Sequence, residues 1–177
     1  MLKFCYAQKE EKMRKFGNKL CCFIFILAFM GGILPQTAAE AKAQPSCKAL
    51  CSAALKATGG SKKLKYASTS AIDFGGLSAS ARDKVKNIQY ICDAKEVYSL
   101  CVIETGNAAS AKAVLKALKK YKKSNCSSNY LSDYSSTEKK VFKNAVCGRQ
   151  GKYVWYIAMS PKKEKNNKGQ TAIKKKM

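Results

Sequence analysis

The chain has 177 residues, and its 34 Lys and Arg against 11 Asp and Glu give a formal net charge of +23 at pH 7. It contains no histidine, which removes the commonest general base, the usual zinc ligand and every nucleophile that works with a histidine partner. Its acidic residues are scattered, with no D-x-D or E-x-x-E pattern, so the composition predicts no metal site, no cofactor and no two-carboxylate glycosidase.

The N-terminal segment has the order of charged, apolar and small residues that marks a secretory signal peptide. An uncharged run, 21–34, follows a basic stretch and precedes Pro35 and several small residues. A helix needs about 20 residues to cross a bilayer, and this run is shorter. We expect cleavage after Ala43, so residues 1–43 are predicted to be a signal peptide, with Met13 as an alternative start. The protein is therefore predicted to be exported, either secreted or associated with the cell surface.

The remaining residues, 44–177, suit one domain. They keep 27 basic and 8 acidic residues, a net charge of +19. For an exported protein this charge favours an anionic wall polymer or a membrane surface as partner, with nucleic acid second. The segment also keeps six cysteines, which either form disulfides or serve as small buried apolar side chains. These are Cys47, Cys51, Cys92, Cys101, Cys126 and Cys147.

The first part of this segment, 44–94, is predicted to be an N-terminal helical region. Ser46 is placed to cap a short amphipathic helix that ends at Gly59. A polar connection follows, and a second helix is expected from Ser78 or Ser80, where Ser80 and Asp83 resemble a capping box. The apolar face of that second helix would consist of Ala81, Val85 and Ile88.

The next part, 95–160, is predicted to be an α+β core. Val, Tyr and Ile at 96–104 indicate a central strand. A helix over 108–123 follows, and then a capping box begins a second, shorter helix. Two further strands, 144–148 and 152–159, flank a glycine-containing connection and indicate a hairpin. The predicted fold is α+β, an antiparallel sheet of about three strands with helices packed on it.

The helix over 108–123 carries lysines along one side, and we call them the lysine stripe. They are Lys112, Lys116, Lys119, Lys120 and Lys123. The stripe is either a polyanion-binding face or a solvated outer helix surface.

The basic tail, 161–177, is either disordered or a final helix from about Gln170 with Ile173 as its apolar anchor. Three lysines at its end would strengthen attraction to an anionic membrane, or would simply be solvated. They are Lys174, Lys175 and Lys176.

An enzyme nucleophile and a nucleic-acid site are the alternatives to a basic binding surface. Ser136 and Ser160 each begin an S-x-x-K pattern, but the partner motifs of Ser/Lys enzymes are missing downstream. Cys147 lies near Arg149, a setting that would activate a cysteine nucleophile if the arginine lowered the thiol pKa. A nucleic-acid site would need exposed aromatic residues on the last strand beside lysines; otherwise these residues belong to the core. The aromatic residues are Tyr153, Trp155 and Tyr156.

The C-terminal half contains, in order, the segments AKEVYSLCVIE, AKAVLKALKKY, NYLSDYSSTEKKVFKNAV and GKYVWYIAM. Over about 95–159 this order resembles the bacterial exported family catalogued as domain of unknown function 4358. The resemblance implies a leader, a strand with an acidic residue, a long helix, a Tyr-rich segment before a short helix, and a closing strand. This chain departs from the pattern in its basic charge, its six cysteines and its lack of a lipoprotein cysteine. The family brings no known activity.

The sequence therefore predicts a non-enzymatic exported protein that acts at the cell envelope through a basic surface. Its partner would be an anionic wall polymer, a membrane surface or another envelope protein. The alternatives are a Cys- or Ser/Lys-dependent enzyme and an extracellular nucleic-acid-binding protein.

Overall fold

The computed structural model describes residues 44–60, 64 and 66–177, so the predicted signal peptide, 1–43, lies outside the described residues. Helices and strands alternate irregularly along this part of the chain. In chain order they are α1 (Cys47–Thr58), β1 (Tyr66–Ser68), α2 (Ala79–Arg82), β2 (Val85–Cys92), β3 (Ser99–Thr105), α3 (Ala108–Ser124), α4 (Ser128–Leu131), α5 (Ser136–Lys143), β4 (Val146–Gln150), β5 (Tyr153–Ala158) and α6 (Lys163–Lys176).

The strands form one antiparallel sheet in the order β1-β2-β3-β5-β4. The predicted α+β class is confirmed, but the sheet in the described residues has five strands rather than three. The hairpin between β4 and β5 is present, and Gly151 adopts φ 54° at its turn. Its connection is shorter than expected, because Arg149 and Gln150 continue β4 beyond residue 148. Within β4, Gly148 pairs with Trp155. A side chain there would collide with the indole, since an added Cβ would lie 2.6 Å from its ring atoms.

The predicted second helix is wrong beyond Arg82, where α2 ends. Val85 and Ile88 fit helical spacing, yet from Ile88 to Cys92 every second side chain is buried, which is the period of a strand. Of the two expected starts, Ser78 is confirmed as the N-cap residue, whereas the capping box of Ser80 with Asp83 is wrong because Asp83 lies at the C-terminal end of α2. The region 44–94 thus supplies one long helix, one short helix and two strands.

The first face of the sheet is covered by α2, α3, α4 and α5. Buried apolar residues of α3 and α5 pack there against Ile103, Val154 and Tyr156. Phe74, in the loop before α2, lies among three tyrosines, with its ring centroid 5.0 Å from that of Tyr90 and 6.2 Å from that of Tyr156. This face forms the larger of the two apolar clusters.

The second face is covered by α1 and α6. As predicted, the Ser46 hydroxyl accepts a hydrogen bond from the Ala49 amide and caps α1, and Gly59 ends the helix with φ 69°. The buried side of α1 packs on alternate residues of β3 and β5, among them Trp155 and Ile157. Because β3 and β5 are covered on both faces, nearly all of their side chains are buried.

The tail is a helix that begins at Lys163, seven residues before the position expected for a final helix. Ile173 is fully buried, as predicted. Two further contacts explain the earlier start. The Asn166 amide group donates to the Asn144 and Ser160 carbonyls, at 2.8 and 3.0 Å, and its oxygen accepts from a backbone amide. Gly169 lets α6 approach α1 closely, because an added Cβ would lie 2.8 Å from Thr58 Cγ2.

The six cysteines of the described residues carry no disulfide. Cys47 and Cys51 pack α1 against β2, and their thiols donate to the Asn87 and Gln89 carbonyls at 3.6 Å. Burial raises the pKa of Cys47 to about 11. In this structure the cysteines therefore have the role of small, partly or fully buried side chains.

Among residues 44–60, 64 and 66–177, no helix combines the length and apolar character needed to span a bilayer.

Candidate functional site

The lysine stripe is presented by α3, which sequence and structure place almost identically. The Asn107 side chain accepts a hydrogen bond from the Ser110 amide at 2.8 Å and so caps the helix. Ala111, Val114 and Leu118 are completely buried on one side of α3. All five stripe lysines are exposed on the other side. The apolar periodicity of the sequence therefore determines the direction in which the charges point.

Four of these lysines line a cleft between α3 and the short helix α2. We call this cleft, of about 510 Å³, the basic groove. Its lining consists of Ser78, Ser80, Ala81, Lys84, Ala113, Lys116, Ala117, Lys119, Lys120 and Lys123. One wall thus comes from α2 and the residues beside it, and the other wall comes from α3.

The lining of the basic groove is suited to an anion. It contains five lysines and no acidic residue. Each ammonium group offers three hydrogen-bond donors and no acceptor. The Ser78 hydroxyl does not cap α2 and is hydrogen-bonded to the Ser80 hydroxyl at 3.3 Å, so this pair keeps one O–H proton to donate beside the charges. The three alanines between them give the groove an apolar component. A phosphate-bearing group attached to a carbon chain matches both properties.

The structure does not bring all the predicted lysines together. Lys112 is exposed on α3 but does not line the basic groove. Lys174, Lys175 and Lys176 are exposed at the end of α6, which covers the second face of the sheet, whereas α3 covers the first. The tail lysines and the groove lysines therefore belong to helices on opposite faces of the sheet.

The aromatic residues of the last strand are core residues. Trp155 is completely buried, and its indole N–H donates to Gln170 Oε1 at 3.1 Å. Tyr156 is 1% exposed. The Tyr153 ring is also buried, and its hydroxyl donates to the Pro45 carbonyl at 2.8 Å. The exposed stacking surface that nucleic-acid binding would require is not formed by these residues.

The nucleophile candidates lie in unfavourable surroundings. Burial raises the pKa of Cys147 to about 11, although Lys122 and Lys119 act in the opposite direction. Its thiol donates to the Leu118 carbonyl at 3.8 Å. Ser160 is buried, and its hydroxyl accepts from the Lys162 amide at 3.1 Å.

The capping box predicted before the shorter helix is confirmed, and Ser135 forms it with Glu138. Ser136 is the first residue of α5. Among the described residues no group of three or more cysteine or acidic side chains is arranged to hold a metal ion.

Sequence reasoning missed one wall of the basic groove. Lys84, Ser78 and Ser80 were assigned to a longer helix whose packing was unknown. Their only local signal is a serine-rich turn that precedes a basic residue. Their proximity to the lysine stripe depends on the packing of α2 beside α3, which is a tertiary contact.

No protein-family model matches the chain, and searches of the curated proteins and of the solved structures found no similar protein. The resemblance to domain of unknown function 4358 therefore stays a prediction.

Proposed function

We propose that this protein is a non-enzymatic binding protein of the cell envelope and that the basic groove binds phosphate groups of an anionic ligand. The observation that carries the proposal is the convergence of five lysines and two serine hydroxyls, from two helices, on one cleft without an acidic residue. Helical periodicity alone turns the four α3 lysines outward, so the feature that bears on a ligand is the second wall, which adds Lys84, Ser78 and Ser80 to the same cleft.

The chemistry of the groove supports a phosphodiester more than an isolated ion. Ammonium groups act on phosphate as point charges, so they tolerate a repeating polymer with variable spacing. The alanines along the groove accept the carbon atoms that connect successive phosphates. Two ligands share this chemistry in the envelope, namely an anionic wall polymer and the headgroups of a lipid surface.

Export is part of the same proposal. The segment 1–43 supports it through its sequence pattern. The high positive charge agrees with it, since anionic polymers and lipids are abundant at the outer face of a cell. The raised pKa of the partly buried Cys147 and the burial of Ser160 make an enzymatic alternative less attractive.

The proposal is tested by cosedimentation of the domain 44–177 with purified anionic wall polymer and, separately, with vesicles that contain an anionic phospholipid. The two ligands distinguish the polymer from the lipid surface. Binding should weaken steeply as salt rises from low to physiological concentration, because every neutralised phosphate releases counterions.

The decisive comparison uses two variants with the same loss of charge. The groove variant carries Lys116→Gln, Lys119→Gln, Lys120→Gln and Lys123→Gln. The control variant carries Lys163→Gln, Lys174→Gln, Lys175→Gln and Lys176→Gln, all on α6. We expect the groove variant to bind at least about tenfold more weakly than the control. Equal losses in both would reduce the effect to net charge and contradict a specific site.

A further inference from the structure

A second cleft, of about 520 Å³, lies beside α4 and α5 and shares no lining residue with the basic groove. We call it the aromatic cleft. It is lined by Lys95, Asn129, Tyr130, Asp133, Tyr134 and Glu138. Its volume lies within the range of roughly 300–1,000 Å³ that is typical of small-molecule sites. Its composition differs from that of the basic groove, because it combines two tyrosine rings with charges of both signs.

The two rings of the aromatic cleft form a fixed platform. The rings of Tyr130 and Tyr134 are stacked, with centroids 5.4 Å apart and planes inclined by 25°. Both pack edge-on against the buried Phe142, at 5.5 and 5.0 Å between centroids. Tyr130 nevertheless remains 40% exposed. A large aromatic ring that is exposed and already held in place offers contact area at little cost in conformational entropy.

The polar groups around this platform are both donors and acceptors. Asn129 provides both kinds of group, Asp133 accepts, and Lys95 donates. Glu138 accepts a hydrogen bond from the Ser135 amide at 2.8 Å, and its other oxygen lies 3.9 Å from Lys95 Nζ. The Tyr134 hydroxyl donates to the Tyr130 hydroxyl at 3.4 Å, so the Tyr130 proton remains free for another acceptor.

This mixture selects among classes of ligand. Asp133 and Glu138 would repel an anion. Lys95 lies 3.9 Å from Glu138 and partly neutralises it, which leaves Asp133 as the one carboxylate of the lining without an ammonium group beside it and so weakens the attraction for a cation. A purely apolar ligand would remove water from the polar groups without replacing their hydrogen bonds. A neutral ring that carries hydroxyl groups around its edge and C–H groups on its face satisfies every part of the cleft.

We propose that the aromatic cleft binds a neutral saccharide, with the sugar ring lying on Tyr130 and its hydroxyls bonded to Asn129, Asp133 and Lys95. The inference is independent of the basic groove. It gives the protein two sites of different chemistry, one for phosphate groups and one for an uncharged sugar.

The test is calorimetric titration of the domain 44–177 with four neutral glycans: the hexamers of cellulose, xylan, amylose and N-acetylglucosamine. The titrations are run in about 0.5 M salt, which screens binding to the basic groove. At least one glycan should bind. Tyr130→Ala should weaken that binding about tenfold or more, whereas Tyr130→Phe, which keeps the ring, should stay within about threefold of the wild type. Tyr66→Ala removes an exposed tyrosine outside the cleft and should change nothing.

Asn129→Ala is a second variant on an exposed side chain and should also weaken binding; it decides the matter if Tyr130→Ala does not fold. Binding of none of the four glycans would overturn the proposal. So would glycan binding that survives Tyr130→Ala in a folded variant, or that survives Asn129→Ala. Tyr130-dependent binding of tetramethylammonium in place of the glycans would overturn it in favour of a cation site.

Discussion

The two faces of the sheet hold their outer helices in different ways. On the first face, α3 is attached by a row of buried apolar side chains, so its whole outer side is left to lysines. On the second face, α6 buries one large apolar residue, Ile173, and is otherwise positioned by Asn166, Gly169 and the bond from Trp155 to Gln170.

A dense run of lysines is therefore not in itself a binding site. The lysines of α3 meet a second wall and enclose a groove. Those in the last turn of α6 lie where positive charge interacts favourably with the helix dipole, so they have a sufficient structural role without any ligand. The polyanion hypothesis therefore belongs to α3 and not to the tail.

Trp155 should give the greatest loss of stability, because it belongs to the apolar cluster of the second face and also bonds to α6. Trp155→Ala removes a fully buried indole and should lower the free energy of unfolding by about 3–5 kcal/mol. Trp155→Phe, which keeps an aromatic ring but loses the bond to Gln170, should cost less. Chemical denaturation measures both, and the wild-type indole emission should be blue-shifted. A loss below about 1 kcal/mol for the alanine variant would mean that neither the indole nor its bond to Gln170 contributes to holding this face.

A smaller effect is expected at the polar anchor of α6. Asn166→Ala leaves the Met159 amide and the Asn144 and Ser160 carbonyls without their partner, which should cost about 2–3 kcal/mol. The exposed neighbour provides a matched control, and Asn167→Ala should change stability by less than about 0.5 kcal/mol. Thermal unfolding with limited proteolysis of the tail would show the difference. Equal losses of stability in the two variants would show that Asn166 does not anchor α6.

The smallest effect concerns pH. Hydrogen bonds from Lys152 and Asn87, at 2.6 and 2.7 Å, lower the pKa of Glu104 from its usual value. The unfolded chain therefore binds a proton at higher pH than the folded protein does. The stabilising contribution is complete above the ordinary glutamate pKa and disappears as the pH falls through the lower, folded value.

Glu104→Gln should accordingly cost about 1 kcal/mol at neutral pH and flatten the loss of stability on acidification. Unfolding curves recorded between about pH 7 and pH 3 measure this. Glu96→Gln, at an exposed loop position, serves as the control. If Glu104→Gln loses stability on acidification as steeply as the wild type does, other carboxylates are responsible for that loss.

Local signals made part of the fold predictable. The helix over 108–123 and the hairpin of β4 and β5 have strong periodicity, caps or turn residues, and both were found nearly as expected. The strand β2 was missed because Val85 and Ile88 also fit a helix. The early start of α6 was missed because its anchors are an asparagine and a glycine, whose roles exist only when α1 and β5 are in place.

The candidate site was likewise predictable only in part. Lysines on one helix face can be found from helical spacing, so the stripe was predicted. The opposite wall with Lys84 is brought to the stripe by the packing of α2 on α3, and no periodicity encodes that contact. The aromatic cleft escaped detection for a related reason, since Lys95 precedes α4 by more than 30 residues.

The proposed function requires that the groove lysines, and not the tail lysines, contact a phosphate-bearing ligand. Acetylation rates of individual lysines, measured by mass spectrometry with and without saturating anionic wall polymer, test it directly. Bound polymer should slow the acetylation of Lys84 and the four stripe lysines of the basic groove and leave Lys174, Lys175 and Lys176 unchanged. Equal slowing of both groups, or bound polymer that leaves the groove lysines unprotected, would contradict it.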